Sequence, residues 1–102
     1  MGVDRGLSFD SEPFEPRMRA FIQRTVIEGA MPALTVIHDQ EGDWLICDNV
    51  NDPNLPGASG LFHISHMLEV DSTISDTANL PEGFVARRKF KGDLWQYEAF
   101  SY

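Results

Sequence analysis

The apolar residues of this chain change their spacing as the chain proceeds, and each change marks an element. Phe14, Met18, Phe21, Ile22 and Val26 recur at the interval of one helix face, while Arg17, Arg19, Gln23, Arg24 and Glu28 fall on the other side. Pro13 and Pro16 suit a first helical turn, whose N–H groups lack helical acceptors, and Gly29 suits the residue after the last turn. The spacing predicts an amphipathic N-terminal helix of about three turns, packed by one face on a sheet.

Between residues 32 and 48 the period drops to that of a strand. Leu34, Val36 and His38 share one face and Ala33, Thr35 and Ile37 the other; beyond a polar stretch containing Gly42, Trp44 and Ile46 oppose Leu45 and Cys47. Two such runs around a short polar loop predict an antiparallel hairpin. Strands apolar on both faces belong in the middle of a covered sheet, so Trp44 and Cys47 are expected in the core. Residues 49–60 are dense in turn formers and predict a long irregular loop, of the kind that often carries function. Asp48, Asn51 and Asp52 do not make it a calcium loop, because Val50 breaks the alternation of oxygen ligands and the sixth position holds no glycine.

Leu61, Ile64 and Leu68, with Met67 beside them, return to a helical interval and predict a second short helix over residues 61–70. Asp71, Ser72 and Thr73 offer N-cap oxygens, Thr73 and Asp76 resemble a capping box, and the further helical turn ends before Pro81. Residues 83–90 and 94–100 alternate again around Lys91, Gly92 and Asp93, which predicts a second hairpin. Arg88 then shares a face with Phe84, Ala86 and Phe90, a cation among apolar neighbours, and pairing with an inward carboxylate, Glu69 or Asp71, would give it a structural role.

Together these elements predict an α+β fold: a mainly antiparallel sheet of about four strands built as two hairpins, with the N-terminal amphipathic helix on one face and a short helical crossover between the hairpins. Residues 1–12 are polar, glycine-bearing and aperiodic, and are expected to form a flexible tail ahead of a single domain at 13–102.

Composition bounds the functions open to such a domain. With 16 acidic against 8 basic residues the net charge is -8, which repels phosphate backbones and steers toward basic partners, so no nucleic acid is expected as ligand. No run approaches the ~18 apolar residues of a membrane span, and the N-terminus lacks a basic region followed by an apolar core. One cysteine cannot form an internal disulfide, which fits a reducing, cytoplasmic setting.

Candidate chemistry is sparse. His63 and His66 stand at an i, i+3 interval and could share a metal, but the glutamate of a His-Glu-x-x-His helix is missing and a catalytic zinc commonly takes three protein ligands. Cys47 sits in a strand expected to be buried, no Gly-x-Ser-x-Gly elbow occurs, and no glycine-rich phosphate loop is present. Asp39, Glu41 and Asp43 could do acid–base work, yet on a hairpin loop they read as solvated charge. The basic run from Arg87 to Lys91 is divided between two strand faces and is not one patch. No catalytic residue, metal or cofactor is therefore assigned.

Several residues together resemble a known family. Pro32 before an apolar strand, Gly42-Asp43-Trp44 opening the next, a Pro/Gly-bearing loop, a helical stretch near His63-Ile64, then Asp71-Ser72-Thr73-Ile74 and Leu80-Pro81 followed by Gly83 and Arg88 resemble a bacterial family first defined as a domain of unknown function. That family is associated with immunity proteins of polymorphic toxin systems, the group numbered thirty-three, and the resemblance spans about residues 32–90. It implies an α+β protein without catalysis that sequesters a basic toxin domain by stoichiometric contact. The exposed contacts for such a protein partner would be Asp39, Glu41, Asp43, Asp48 and Asp52. Two other classes stay open at this level: a small metal-dependent or carboxylate enzyme, and a regulatory or structural domain that self-associates through a sheet edge or exposed aromatics; the chain is expected as a monomer or a homodimer.

Overall fold

The computed structural model describes residues 14–100. In chain order the elements are β1 (Arg19–Gln23), α1 (Arg24–Ile27), β2 (Thr35–His38), β3 (Trp44–Cys47), β4 (Ser59–His63), α2 (Ile64–Val70), a 3₁₀ helix (Ser72–Thr77), β5 (Phe84–Arg87) and β6 (Gln96–Ala99). They form one six-stranded mixed sheet in the order β4-β1-β3-β2-β5-β6. The β1–β3 pair is parallel and the other neighbours are antiparallel.

This corrects the expected four-stranded, mainly antiparallel sheet with an N-terminal amphipathic helix. Residues 19–23 are a strand, because an alternation hidden within the helical interval places Ala20 and Ile22 on one face and Phe21 and Gln23 on the other. Its backbone is taken up on both sides, by β3 in parallel and by β4 antiparallel, and tertiary pairing of this kind overrides local spacing. Only the four residues of α1 remain helical, stopped as expected at Gly29, whose φ of +80° suits a left-handed C′ position. Pro16 lies inside the turn closed by the Met18 amide on the Glu15 carbonyl (2.9 Å). Residues 59–63, expected as loop and helix start, are β4, so the second helix begins at Ile64. The tail expected at residues 1–12 lies outside the described residues.

The first hairpin forms as its alternation predicts, with Thr35 opposite Cys47, Val36 opposite Ile46 and His38 opposite Trp44. The β2–β3 turn holds Gly42 at φ +88°, where a Cβ would also lie 3.2 Å from the Glu82 carboxylate. The helical crossover and the second hairpin also occur, with β5 and β6 shorter than the expected runs.

The sheet's two faces differ. On one, Ala20, Ile22, Val36, Trp44, Ile46 and Ala86 meet Val26, Ile64, Met67 and Ile74 from the helices, with Phe14, Leu80 and Trp95 completing the cluster. Full burial of side chains this size contributes about 2 kcal/mol each, so this face holds the fold together. The opposite face carries Phe21, Leu45, Ile37 and Val85 in one row and Gln23, Cys47, Thr35 and Arg87 in the next. None of these belongs to the main core cluster, and Leu45, Ile37, Cys47, Thr35 and Arg87 face a groove walled by residues 49–54.

Candidate functional site

The loop at 49–58 is held over the second face by buried polar groups. The Asp48 carboxylate, fully buried, accepts from the Val50 and Asn51 amides, the Asn51 side-chain amide and the Thr25 hydroxyl, at 2.7 to 2.8 Å. Burial alone would raise its pKa, but these donors outweigh burial and hold the carboxyl at about 2. Gln23, 1% exposed, completes the clasp: its Nε2 donates to the Asn51 carbonyl (3.1 Å), and its Oε1 accepts from the Asp48 amide (2.8 Å). Asn49 turns the chain at φ +63°, a left-handed position that asparagine tolerates. Further along, Arg24 Nε donates to the Gly57 carbonyl (2.9 Å) and Ser59 Oγ to the Pro53 carbonyl (3.0 Å), so both loop ends are fastened to the β1 side.

Between this loop and the sheet lies a groove of about 630 Å³. Thr35, Ile37, Leu45 and Cys47 form its floor, residues 49–54 one wall, and Arg87 and Phe100 the other side. The volume is that of a site for a large side chain or a small ligand. The Thr35 hydroxyl, on a residue 4% exposed, has no hydrogen-bond partner among the described residues. Buried hydroxyls are nearly always paired, so among the described residues the floor carries a polar group that lacks its usual partner.

Charge around the groove is mostly negative. Asp39 and Asp52 line it, and Arg87, its one lining cation, is ion-paired with the exposed Glu98. Beyond Asp39 the hairpin turn adds Glu41 and Asp43, whose amides both donate to Asp39 Oδ1 at 2.9 Å. The three carboxylates can approach within 4.8 Å of one another and are the only metal-compatible group among the described residues. Their clustering is explained by the Asx geometry of the turn itself.

Of the expected contact residues, Asp39, Glu41, Asp43 and Asp52 therefore stand at or beside one groove. Asp48 does not: it is buried in the clasp and acts by positioning the wall. Gln23, Thr25 and Thr35 were overlooked by the sequence reading. Their signal was a polar residue on an otherwise apolar strand, and an Asp-Asn pair followed by a second asparagine, which favours Asx turns.

Of the histidines, His63 and His66 are neighbours and His38 lies apart from them. His63 ends β4 and His66 lies on α2, both exposed, with ring centroids 6.0 Å apart in an edge arrangement. No cysteine or carboxylate joins them in a metal-compatible group among the described residues. His38 stacks on Trp44 at 4.0 Å, and its Nδ1 donates to the Leu80 carbonyl (2.7 Å), so it serves packing.

Cys47 is buried, and burial first, then the adjacent Asp48 charge, pushes its thiol up to about 11. Thiolate is the reactive form, so the native protein at pH 8 is expected to react with a maleimide at least about 100-fold more slowly than the urea-unfolded chain. Mass spectrometry of timed aliquots checks this.

Arg88 sits on the covered face. Its Nη2 donates to Asp71 Oδ2 (2.7 Å), Nη1 to Thr73 Oγ1 (2.8 Å) and Nε to the Ala33 carbonyl (3.0 Å), with the Trp95 ring centroid 4.1 Å from the guanidinium carbon. Asp71 is thus the carboxylate that meets Arg88. It also caps the 3₁₀ helix by accepting from the Thr73 amide, while the Thr73 hydroxyl donates to Asp71, so the expected Thr73–Asp76 box gives way to an Asp71 cap.

No family model, curated protein or solved structure matches the chain. No helix among the described residues is long and apolar enough to cross a membrane.

Proposed function

We propose that this chain is a binding protein that holds a basic protein partner against the groove on the second face of its sheet, one to one, seating a partner side chain in the groove. The groove carries the reading: its floor is apolar, its Thr35 hydroxyl has no partner among the described residues, and carboxylates gather at its end. An inserted side chain with a polar tip, such as tyrosine, would remove Ile37 and Leu45 from water and give Thr35 a partner, while lysines and arginines around it would face Asp39, Glu41, Asp43 and Asp52. The net charge of -8 speeds encounter with such a surface. Under the resemblance to immunity proteins, the partner is a toxin domain and the complex forms in the cytoplasm, with no catalytic step by this chain.

Capture from a lysate of the native host at low salt, followed by mass spectrometry and titration of the purified partner, tests this. Glu41→Lys with Asp43→Lys reverses two charges and leaves the Asp39 turn bonds intact, because both residues contribute only backbone groups there. The double variant is expected to bind at least about tenfold more weakly and to flatten the salt dependence. Val50→Asp, on the exposed wall, is expected to weaken binding without changing stability. An acidic partner, or binding indifferent to both changes, would overturn the proposal. Co-expression with the partner tests the immunity form: wild-type chain restores host growth and the double charge reversal does not.

A further inference from the structure

We infer that the outer edge of β4 is a self-association surface, pairing antiparallel with β4 of a second copy about a two-fold axis at Leu61. This surface is separate from the groove and does not rest on the partner reading. The direction of the β4 backbone is set by its bonds to β1. The Ile64 amide donates to the Met18 carbonyl (2.7 Å), and the Arg24 amide to the Ala58 carbonyl (2.8 Å), in the register that pairs Arg19 with His63 and Gln23 with Ser59. In an antiparallel ladder, inward and outward groups alternate, so Gly60 and Phe62 are spent on β1 while Ser59, Leu61 and His63 present theirs to the outside. The His63 carbonyl opens α2, which leaves its N–H outward.

That set is self-complementary. Centring two copies on Leu61 exchanges both bonds between Leu61 and its symmetry mate, and sets each His63 N–H against the other copy's Ser59 carbonyl, about four hydrogen bonds in all. Nothing along β4 guards the edge: Ser59, Gly60, Leu61, Phe62 and His63 include no lysine, carboxylate or proline. The opposite edge strand, β6, is shorter and carries Glu98.

Side chains favour a second copy over a foreign strand. Leu61 and Phe21 are register partners on the sheet's second face, 50% and 44% exposed, and the two-fold brings both copies of this pair together in one apolar stripe. Charge agrees as well. Arg19 and His63 are register partners at one end of the edge, and the other end, Ser59, is bonded to Pro53 beside Asp52. Antiparallel pairing sets the cationic end of each copy against the acidic end of the other.

Sedimentation velocity over a wide concentration range, with hydrogen exchange read amide by amide, tests the inference on the full chain. A reversible two-chain species is expected at high concentration. In it the Leu61 and His63 amides exchange slowly, becoming fast on dilution, while the Gly60, Phe62 and Ile64 amides stay protected throughout. Leu61→Lys places a charge on the two-fold and is expected to weaken the dimer at least about tenfold. Leu61→Pro removes the central outward N–H without touching a β1 bond and should act alike. A monomer at every concentration, a dimer with Leu61 and His63 amides exchanging freely, or a dimer unaffected by both substitutions would overturn it.

Discussion

Replacing Arg88 with methionine is expected to destabilise the protein by about 3–5 kcal/mol, because it leaves the Asp71 carboxylate buried without its cation. The side chains of this pair are 0% and 4% exposed, so water cannot take over the lost partner. The substitution also strips the Ala33 carbonyl and the Thr73 hydroxyl of a donor and removes the cation from the Trp95 ring. Those three contacts belong to three parts of the chain: the entry to β2, the 3₁₀ helix, and the segment leading into β6. Loss of Arg88 therefore loosens the crossover and the second hairpin together. Urea unfolding followed by tryptophan fluorescence measures the change, and a loss below about 1 kcal/mol would refute the structural role.

The pH dependence of that loss has a definite sign. In the wild type, burial pushes the Asp71 carboxyl up, but hydrogen bonds from Thr73 and Arg88 and the Arg88 charge outweigh it, and the pKa is lowered. Its contribution to stability is therefore present above the unfolded carboxylate pKa and lost as pH falls through the lowered value. Without the cation two of the lowering causes are gone and the pKa rises above the wild-type value, so the variant regains stability relative to wild type as acid neutralises Asp71. The gap should narrow as pH falls from 7 through the carboxylate range. Arg88→Met combined with Asp71→Asn should recover roughly 1–2 kcal/mol of the loss, since the unpaired charge is gone while the cap is partly kept.

Arg88 could be found from strand alternation because β5 and its neighbours obey a local rule. The first hairpin is equally local: its two apolar runs lie a turn apart, so their pairing needs no information from elsewhere in the chain. β1 was not legible in this way. Its five residues satisfy a helical interval and a strand interval at once, and what decides between them is β3 and β4, which lie more than 20 positions downstream. β4 was obscured by Ser59 and Gly60, which read as turn formers, and by Leu61, which fits the helical interval of Ile64 and Leu68. Missing this pair of strands changed the sheet from four strands to six and hid the edge at Leu61.

The candidate site divides along the same line. Carboxylates on a hairpin turn are exposed in almost any fold, so Asp39, Glu41 and Asp43 could be placed from sequence. The groove could not, because its floor comes from β2 and β3 while its wall is held by Gln23 and Thr25 from β1 and α1. Asp48 shows the consequence. Read locally it is one more acid on an acidic surface; with β1 beside β3 it becomes the acceptor on which the loop hangs.

Asp48→Asn is accordingly expected to cost about 2–4 kcal/mol of stability and to open the groove, although it changes only one atom. An amide can still accept from the Val50 and Asn51 backbone, but its NH₂ group meets the Thr25 hydroxyl and the Asn51 side-chain amide, both of which donate to Asp48 in the wild type. The Thr25 hydroxyl can turn to accept, but the Asn51 NH₂ then faces a second NH₂, donor against donor inside a buried cluster, and the Gln23 contact to Asn51 goes with the displaced loop. The pH profile separates this from a generic loss of packing. A carboxyl lowered from 3.8 to about 2 contributes stability that is fully present above about pH 4 and lost as pH falls toward 2, an amount of about 2 kcal/mol. The asparagine variant lacks that term, so its deficit relative to wild type should shrink over the same interval. Hydrogen exchange at pH 7 should show the Val50 and Asn51 amides protected in wild type and fast in the variant, while the Thr35–Cys47 ladder stays slow in both. If the variant kept those two amides protected, Asp48 would not be what holds the wall. If they exchanged fast and partner binding were unchanged, the groove would not be the site of contact.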